Sequence, residues 1–171
     1  MAKAKEAAAT EPTEPPKQDQ QPGFSIEKIY VKDLSLEIPN APAVFMQRET
    51  PQISIELGNK VTKLEEGVFE VVLSVTVTSK IEDKTVFLVE VAQAGIFQVR
   101  NIPQENLEAI VSVTCPNILF PYAREAVSDL ITRGGFPPVL LSPINFEALY
   151  AQQKQQQVEG ATAGADGAAT H

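Results

Sequence analysis

A helix-forming stretch between Cys115 and Pro138 constrains the fold of this chain more than any other segment. Apolar residues recur there at three- and four-residue steps, which is typical of an amphipathic helix with one buried face. These residues are Leu119, Ala123, Ala126, Val127 and Leu130. Asn117 is the predicted N-terminal cap, and Pro121 is expected in the first turn, where a missing N–H costs little. Gly134 or Gly135 is the predicted left-handed C-terminal cap.

The front of this predicted helix is apolar on nearly all sides. Ile118, Leu119, Phe120 and Tyr122 surround its first turn, and a single buried stripe cannot accommodate all four side chains. The sequence therefore predicts that another subunit or a ligand covers this part of the helix.

Composition divides the 171 residues into one folded domain and two tails. Residues 1–23 are rich in Ala, Glu, Pro and Gln, and residues 159–171 are similarly poor in large apolar groups. Such segments cannot bury enough apolar surface to offset the cost of ordering the chain. We therefore predict a folded domain over residues 24–158 between a disordered N-terminal tail and a disordered C-terminal tail.

Four segments of the domain have the period-two alternation of half-buried strands. The predicted strands are Phe24–Ile38, Ile53–Leu57, Val68–Ser79 and Thr85–Arg100. A bulge or bend is expected at Gly58-Asn59, and Gly95 predicts either a bulge or a close backbone approach. The turn between the last two strands is short, so they are expected to be antiparallel neighbours.

Helices follow the strands along the chain, which predicts the α+β class. Pro103 fits the first position of a short helix, and Asn145 can cap a last helix that carries Phe146, Leu149 and Tyr150. The expected architecture is a twisted four-stranded antiparallel sheet with helices packed on one face.

The residues that enzyme and cofactor chemistry require are missing from the predicted domain. The one histidine is His171 in the C-terminal tail, so no histidine-based triad can form, and no metal-ligand spacing or phosphate-binding loop is present. Cys115 has apolar neighbours and is predicted to be a buried small hydrophobe. These observations predict a protein that is not an enzyme and needs no metal or cofactor.

Charge and hydropathy exclude further classes of function. The net charge is −8, with 22 acidic and 14 basic residues, which argues against binding nucleic acid through its phosphates. No apolar run has the length of a membrane helix, and the N-terminus lacks the apolar region of a secretory signal. A single cysteine is consistent with a reducing cytosol.

The sequences of the first and fourth predicted strands indicate a polar sheet face with an apolar insert. Asp33 and Glu37 share one side of the first strand, while Leu88 with Val86 would form an apolar patch beside Glu90 on the fourth. This face is either an ordinary solvated sheet surface or a site for a partner protein.

Several long motifs resemble one known family. They are CPNILFPYARE at 115–125, RGGFPP at 133–138, SPINFEALY at 142–150, IYVKDLSLEIPNAP at 29–42, FEVVLSVTVT at 69–78 and GIF at 95–97. Together they resemble the SecB family of bacterial protein-export chaperones over residues 24–152. The chain departs from many family members in having no tryptophan before the second strand, which affects the expected shape of the client groove.

The resemblance implies a cytoplasmic homotetramer, a dimer of dimers, that holds unfolded precursor proteins and passes them to the translocation ATPase SecA. The family's SecA contact corresponds to Asp33, Glu37, Leu88 and Glu90. Its assembly-sensitive positions correspond to Phe87, Val89, Val91 and Gln93. Period-two alternation predicts that these two sets lie on opposite faces of the sheet.

An ATP-independent chaperone of this kind needs an apolar groove that accepts many sequences. The predicted groove residues are Val44, Phe45, Ile55, Leu57, Ile118, Phe120 and Tyr122. Two alternatives remain at this stage: a SecB-like chaperone dedicated to one toxin–antitoxin pair, and an oligomer that binds small apolar ligands. The first would bind one partner stoichiometrically, and the second would be saturated by a small molecule.

Overall fold

Four antiparallel strands form one sheet in the computed structural model, which describes residues 21–165 and side chains up to residue 156. The strands are β1 (Gly23–Glu37), β2 (Gln52–Glu65), β3 (Val68–Ile81) and β4 (Lys84–Arg100). Their spatial order is β1-β4-β3-β2, so the segment between β1 and β2 carries the chain from one edge of the sheet to the other. The predicted α+β class and the four antiparallel strands are confirmed.

The two glycines that were expected to distort strands behave differently. β2 continues past Gly58 in unbroken register with β3 as far as Lys63, so the predicted bulge or bend at Gly58-Asn59 is wrong. A side chain at Gly58 would make only ordinary contact with Ser74, so nothing there forces the strand to bend. At Gly95, a Cβ would lie 2.6 Å from the Phe97 ring and 3.1 Å from Leu119. The close approach predicted at Gly95 is therefore confirmed, because a side chain would collide with the core.

A nearly continuous helical segment follows the sheet. It consists of α1 (Gln104–Ala109), a π-helical turn (Ile110–Thr114) and α2 (Cys115–Arg133). Asn117 therefore does not cap a helix, because helical backbone already precedes Cys115, and Pro121 lies inside α2 instead of in its first turn. The C-terminal cap is as predicted: Gly135 has φ +85°, and the Phe136 N–H donates to the Ile131 carbonyl.

α2 packs against β3 and β4 and closes the core, whose fully buried side chains come from both layers. α3 (Phe146–Ala165) begins where predicted, with the Ala148 N–H donating to Asn145 Oδ1 over 3.0 Å. It continues to Ala165, past the predicted start of the C-terminal tail at residue 159.

Residues 1–20 of the predicted N-terminal tail and residues 166–171 of the predicted C-terminal tail lie outside the described part of the chain. Within residues 21–165, no helix combines the length and the apolar character needed to cross a membrane.

Candidate functional site: the two faces of the sheet

Strand register separates the predicted residue sets onto opposite faces. Asp33 pairs with Ala92, Ser35 with Glu90, and Glu37 with Leu88, so these side chains share the face away from the helices, here called the outer face. Leu36 pairs with Val89 on the other face, against which α2 packs, here called the helix face. The structure brings together each predicted set on its own face.

The outer face carries an acidic surface with an apolar insert. Asp33 and Glu90 line one shallow depression of about 140 Å³ together with Ser74 and Thr76. Leu88 is half-buried beside Glu37. No ion pair within residues 21–156 involves Asp33, Glu37 or Glu90, so their charges are not neutralised by a described neighbour.

Val86 does not contribute to this surface, contrary to the sequence prediction. It is buried at a register shift between β3 and β4, where Ser79 pairs with Phe87 but Lys80 pairs with Thr85. The extra residue of the bulge turns Val86 inwards. The apolar insert in the acidic surface is therefore Leu88 alone.

A further carboxylate on the outer face, that of Glu70, forms an ion pair. Lys32 Nζ lies 2.8 Å from both carboxylate oxygens of Glu70, and the Tyr30 hydroxyl donates to Glu70 Oε1. The Lys32 hydrogen bond, followed by that of Tyr30, lowers the pKa of Glu70. The same contact with Glu70 raises the pKa of Tyr30. This cluster compensates the charge of Glu70, in contrast to the charges of Asp33, Glu37 and Glu90.

The predicted assembly residues are buried inside a single chain. Val89 is 0% exposed and Val91 1% exposed, and Phe87 and Gln93 are also buried. Gln93 donates its side-chain N–H to the Tyr30 carbonyl over 2.9 Å, at a bulge of β1. These residues can therefore affect assembly only through the position of α2 and the shape of β1, because none of them is available for contact with another chain.

The helix face of β2 is left uncovered. Ile53, Ile55 and Leu57 are 45%, 47% and 37% exposed, although they pair with β3 residues whose helix-face side chains form the core. All fourteen residues of β2 are exposed, because α2 lies over β3 and β4. A row of apolar side chains thus lines the gap between the β2 edge and the helical layer.

One of two aromatic clusters lies beside this apolar row. Phe120 meets Phe146 edge-on at 5.9 Å, and Phe146 shares a small cavity with Leu57. The gap beside β2 therefore has an apolar wall as well as an apolar floor. In the other cluster, the Phe45 ring stacks on Phe136 with centroids 5.2 Å apart, and Phe136 contacts Phe87 at 5.0 Å.

The predicted groove residues divide between exposed and buried positions. Phe45, Ile55, Leu57 and Tyr122 are exposed, Ile118 is partly buried, and Val44 and Phe120 are buried in the core. Tyr122 is 50% exposed on α2 and is not among the residues that line the small cavity with Leu57. Sequence reasoning did not assign Ile53, Phe136, Phe146 and Leu149 to the groove, although Ile53 has the same period as Ile55 and Leu57.

Other polar groups in the core show no catalytic arrangement. Burial raises the pKa of the Cys115 thiol to about 12, so the thiolate needed of a nucleophile does not form near neutral pH. Ser79 Oγ is buried with no hydrogen-bond partner among the described residues. In the same part of the chain, no three His, Cys, Asp or Glu side chains are arranged to hold a metal ion.

Two further surfaces remain open in the single chain. β1 forms the other edge of the sheet and exposes apolar side chains at Phe24, Ile26, Val31 and Leu34. A cavity of about 630 Å³ lies between the solvent side of α2 and the loop that follows it, lined by Phe120, Arg124, Leu140 and others. The β1 edge lies at the opposite end of the sheet from the gap beside β2, and the cavity beside α2 shares only Phe120 with the aromatic cluster of that gap.

Comparison with known proteins identifies close relatives. The family model "Preprotein translocase subunit SecB" matches residues 17–157. The chain is 71% identical to the protein-export protein SecB of Methylobacillus flagellatus, over 90% of this chain and 95% of that protein. It is 63% identical to the protein of the same name from Chromobacterium violaceum, over 85% of this chain and 97% of that protein.

Among solved structures, the fold is similar to that of a SecB-like chaperone from Mycobacterium tuberculosis, which was determined in complex with an antitoxin peptide. The TM-score is 0.58 at 22% identity, covering 71% of this chain and 90% of the other. At that identity the likeness concerns the fold alone.

Proposed function

The chain belongs to the SecB family of protein-export chaperones, which are not enzymes, and we propose that it holds unfolded precursors on the uncovered helix face of β2. One observation carries this proposal. Ile53, Ile55 and Leu57 stay between 37% and 47% exposed on the side of the sheet where β3 and β4 form the core. An apolar row that the fold leaves uncovered is suited to binding apolar segments of another chain.

The chemistry of holding requires no nucleotide. An apolar client segment that leaves water gains about 25 cal/mol per Å² of buried surface, less the cost of ordering the segment. β2 is an edge strand, so its outer row of backbone N–H and C=O groups can also pair with an extended client. These contacts depend little on sequence, which suits a chaperone for many precursors.

SecA is the proposed partner of the outer face. Asp33, Glu37 and Glu90 provide negative charge without described ion-pair partners, and Leu88 provides apolar area among them. A basic segment of SecA would be attracted to the charges and would bury Leu88. Because the client surface lies on the opposite side of the sheet, this cytoplasmic chaperone could bind client and SecA together.

We propose a homotetramer that assembles through the two other open surfaces. The β1 edge is fifteen residues long and exposes apolar side chains, so a second copy could extend the sheet there. The solvent side of α2 and Leu140 could then join two such dimers. In this arrangement Phe87, Val89, Val91 and Gln93 act indirectly, by holding α2 and β1 in place.

The holding surface can be tested with a pair of matched variants. Leu57→Asp and Val61→Asp change residues of equal exposure, 37%, on the same strand and the same face. A reduced, slow-folding precursor is diluted from denaturant without ATP, and recovery of its native fluorescence is followed. Leu57→Asp should weaken holding about tenfold or more, since a buried Leu contributes roughly 1.5–3 kcal/mol. Val61→Asp should hold nearly as well as wild type, because a hydrogen bond from Asn59 to the Val111 carbonyl separates Val61 from the open part of the row. Equal holding by wild type and Leu57→Asp would overturn the proposal.

A further inference from the structure

One polar side chain crosses the gap between β2 and the helical layer. Asn59 Nδ2 donates to the Val111 carbonyl over 3.4 Å. Among the hydrogen bonds of the described residues, this is the one that joins β2 to the helices. Asn59 lies on the same side of β2 as Ile55, Leu57 and Val61, so it interrupts the apolar row.

The local backbone explains why Val111 accepts this bond. In the π-helical turn, the Cys115 N–H donates to the Ile110 carbonyl, five residues back. The donor that this pattern would offer to Val111 belongs to residue 116, which is proline and has no N–H. The Val111 carbonyl is therefore left without its helical donor, and the Asn59 amide supplies one.

The gap narrows towards this bond. Between Leu57 and Asn59, β2 approaches Phe146, Leu149 and Tyr150 of α3, and only a cavity of about 40 Å³ remains. Towards Ile53 the row is more exposed, at 45–47%. The gap beside β2 is thus open at the Ile53 end and closed at Asn59.

We propose that Asn59 ends the client groove and so determines the length of client segment that each protomer accepts. From Ile53 to Leu57 the open row spans five residues, or roughly 13 Å of extended chain. The preferred ligand is an extended segment of about this length with apolar side chains at alternate positions. Val61 lies beyond the bond and stays outside the footprint. This inference rests on the proposed function of β2.

The test compares two synthetic peptides with alternating Leu and Ser, about five and about nine residues long. The measured quantity is the ratio of their affinities for each variant of the full chain. Asn59→Ala removes the bond and the obstruction, so the longer peptide can reach Val61. Its affinity relative to the shorter peptide should increase about tenfold over the wild-type ratio, from one more buried apolar side chain.

Two further variants guard against indirect effects. Asn59→Asp keeps the side-chain size but cannot donate to the Val111 carbonyl, and its carboxylate is repelled by that oxygen. The side chain should therefore turn towards solvent and unblock the gap, which changes the ratio in the same direction. Ser54→Ala removes a side-chain bond of β2 to the Thr78 carbonyl on the outer face, and should leave the ratio unchanged. Urea unfolding of each variant shows whether the fold is retained.

The two proposals fail in distinguishable ways. If wild type binds both peptides and holds precursors but the ratio is the same in wild type, Asn59→Ala and Asn59→Asp, the role of Asn59 is overturned and the holding surface stands. If wild type neither binds the peptides nor holds a precursor, the proposed function fails, and the inference fails with it. If Asn59→Ala does not fold, an unchanged affinity ratio in folded Asn59→Asp is enough to contradict the inference.

Discussion

β4 and β2 have the same alternation of apolar and polar residues, but the apolar side chains of β4 are buried and those of β2 are exposed. On β4, Val89 and Val91 are 0% and 1% exposed beneath α2. On β2, Ile55 and Leu57 occupy the same face of the same sheet and stay 47% and 37% exposed. The difference lies in what covers each strand, because the helical layer lies over β4 and β3 and stops short of β2.

Period-two alternation in the sequence thus predicts which side chains share a face of the sheet, but not whether a helix packs on that face. A central strand that is paired on both sides and packed beneath a helix becomes core, whereas an edge strand with the same pattern becomes a surface. In this protein the uncovered strand is the one that we assign to clients. Core and binding surface are therefore adjacent parts of one apolar face.

An aspartate in place of one apolar residue should affect stability very differently on β4 and on β2. Val89→Asp places a charge in the core and should destabilise the protomer by more than about 4 kcal/mol, whereas Ile55→Asp should change the free energy of unfolding by less than about 1 kcal/mol. From the sequence alone, charging Val89 would be expected to favour dimers over tetramers. Its complete burial instead predicts loss of the folded protomer.

Urea unfolding and sedimentation of the two variants check this prediction. Val89→Asp with a wild-type denaturation midpoint and a normal assembly would show that the two strands do not differ as described. A cooperative unfolding transition for Ile55→Asp, close to that of wild type, is the expected control.

A smaller effect concerns the outer face of β4. Glu90→Lys replaces attraction with repulsion beside Asp33 and should weaken SecA binding about tenfold at low salt, with a smaller effect at high salt. Client holding should persist, because the side chain points away from the helix face. Glu66→Lys, the same charge change at a solvent-exposed site in the β2–β3 turn, is the matched control. Unchanged SecA affinity in Glu90→Lys would contradict the assignment of SecA to the outer face.

A still smaller change in stability is expected from removing the buried hydroxyl of Ser79 on β3. Ser79 Oγ is buried without a described hydrogen-bond partner, so Ser79→Ala should raise the free energy of unfolding by about 1 kcal/mol. Ser74→Ala, on the exposed outer face of the same strand, should have almost no effect. The measurement is the urea midpoint of each variant. Destabilisation by Ser79→Ala would indicate that the hydroxyl is hydrogen-bonded in solution.

Much of the fold could be predicted because local signals dominate it. The alternation of Val68–Ile81, the cap at Asn145 and the left-handed Gly135 each depend on neighbouring residues in the chain. The outer-face set was predicted for the same reason, since Asp33 and Glu37 are four positions apart and an even spacing puts side chains on one face of a strand. Their counterparts Leu88 and Glu90 followed from the family resemblance and the same period.

Features that depend on distant contacts could not be predicted. Asn117 has a capping side chain, but whether it caps depends on the helical backbone that precedes Cys115. The groove residues have the same composition as the core, and only the position of α2 leaves Leu57 exposed while it buries Phe120. The link from Asn59 to Val111 joins residues 52 positions apart and has no periodic signature.

We assign unfolded clients to the helix face of β2 and SecA to the outer face of β4. Methyl-group NMR of the full protein tests this assignment most directly, since Ile53, Ile55, Leu57 and Leu88 all carry methyl groups. Titration with an unfolded precursor should shift the Ile53, Ile55 and Leu57 signals and leave Leu88 unchanged, and titration with SecA should do the reverse. A precursor that perturbs Leu88 while the β2 methyl signals stay in place would contradict the account.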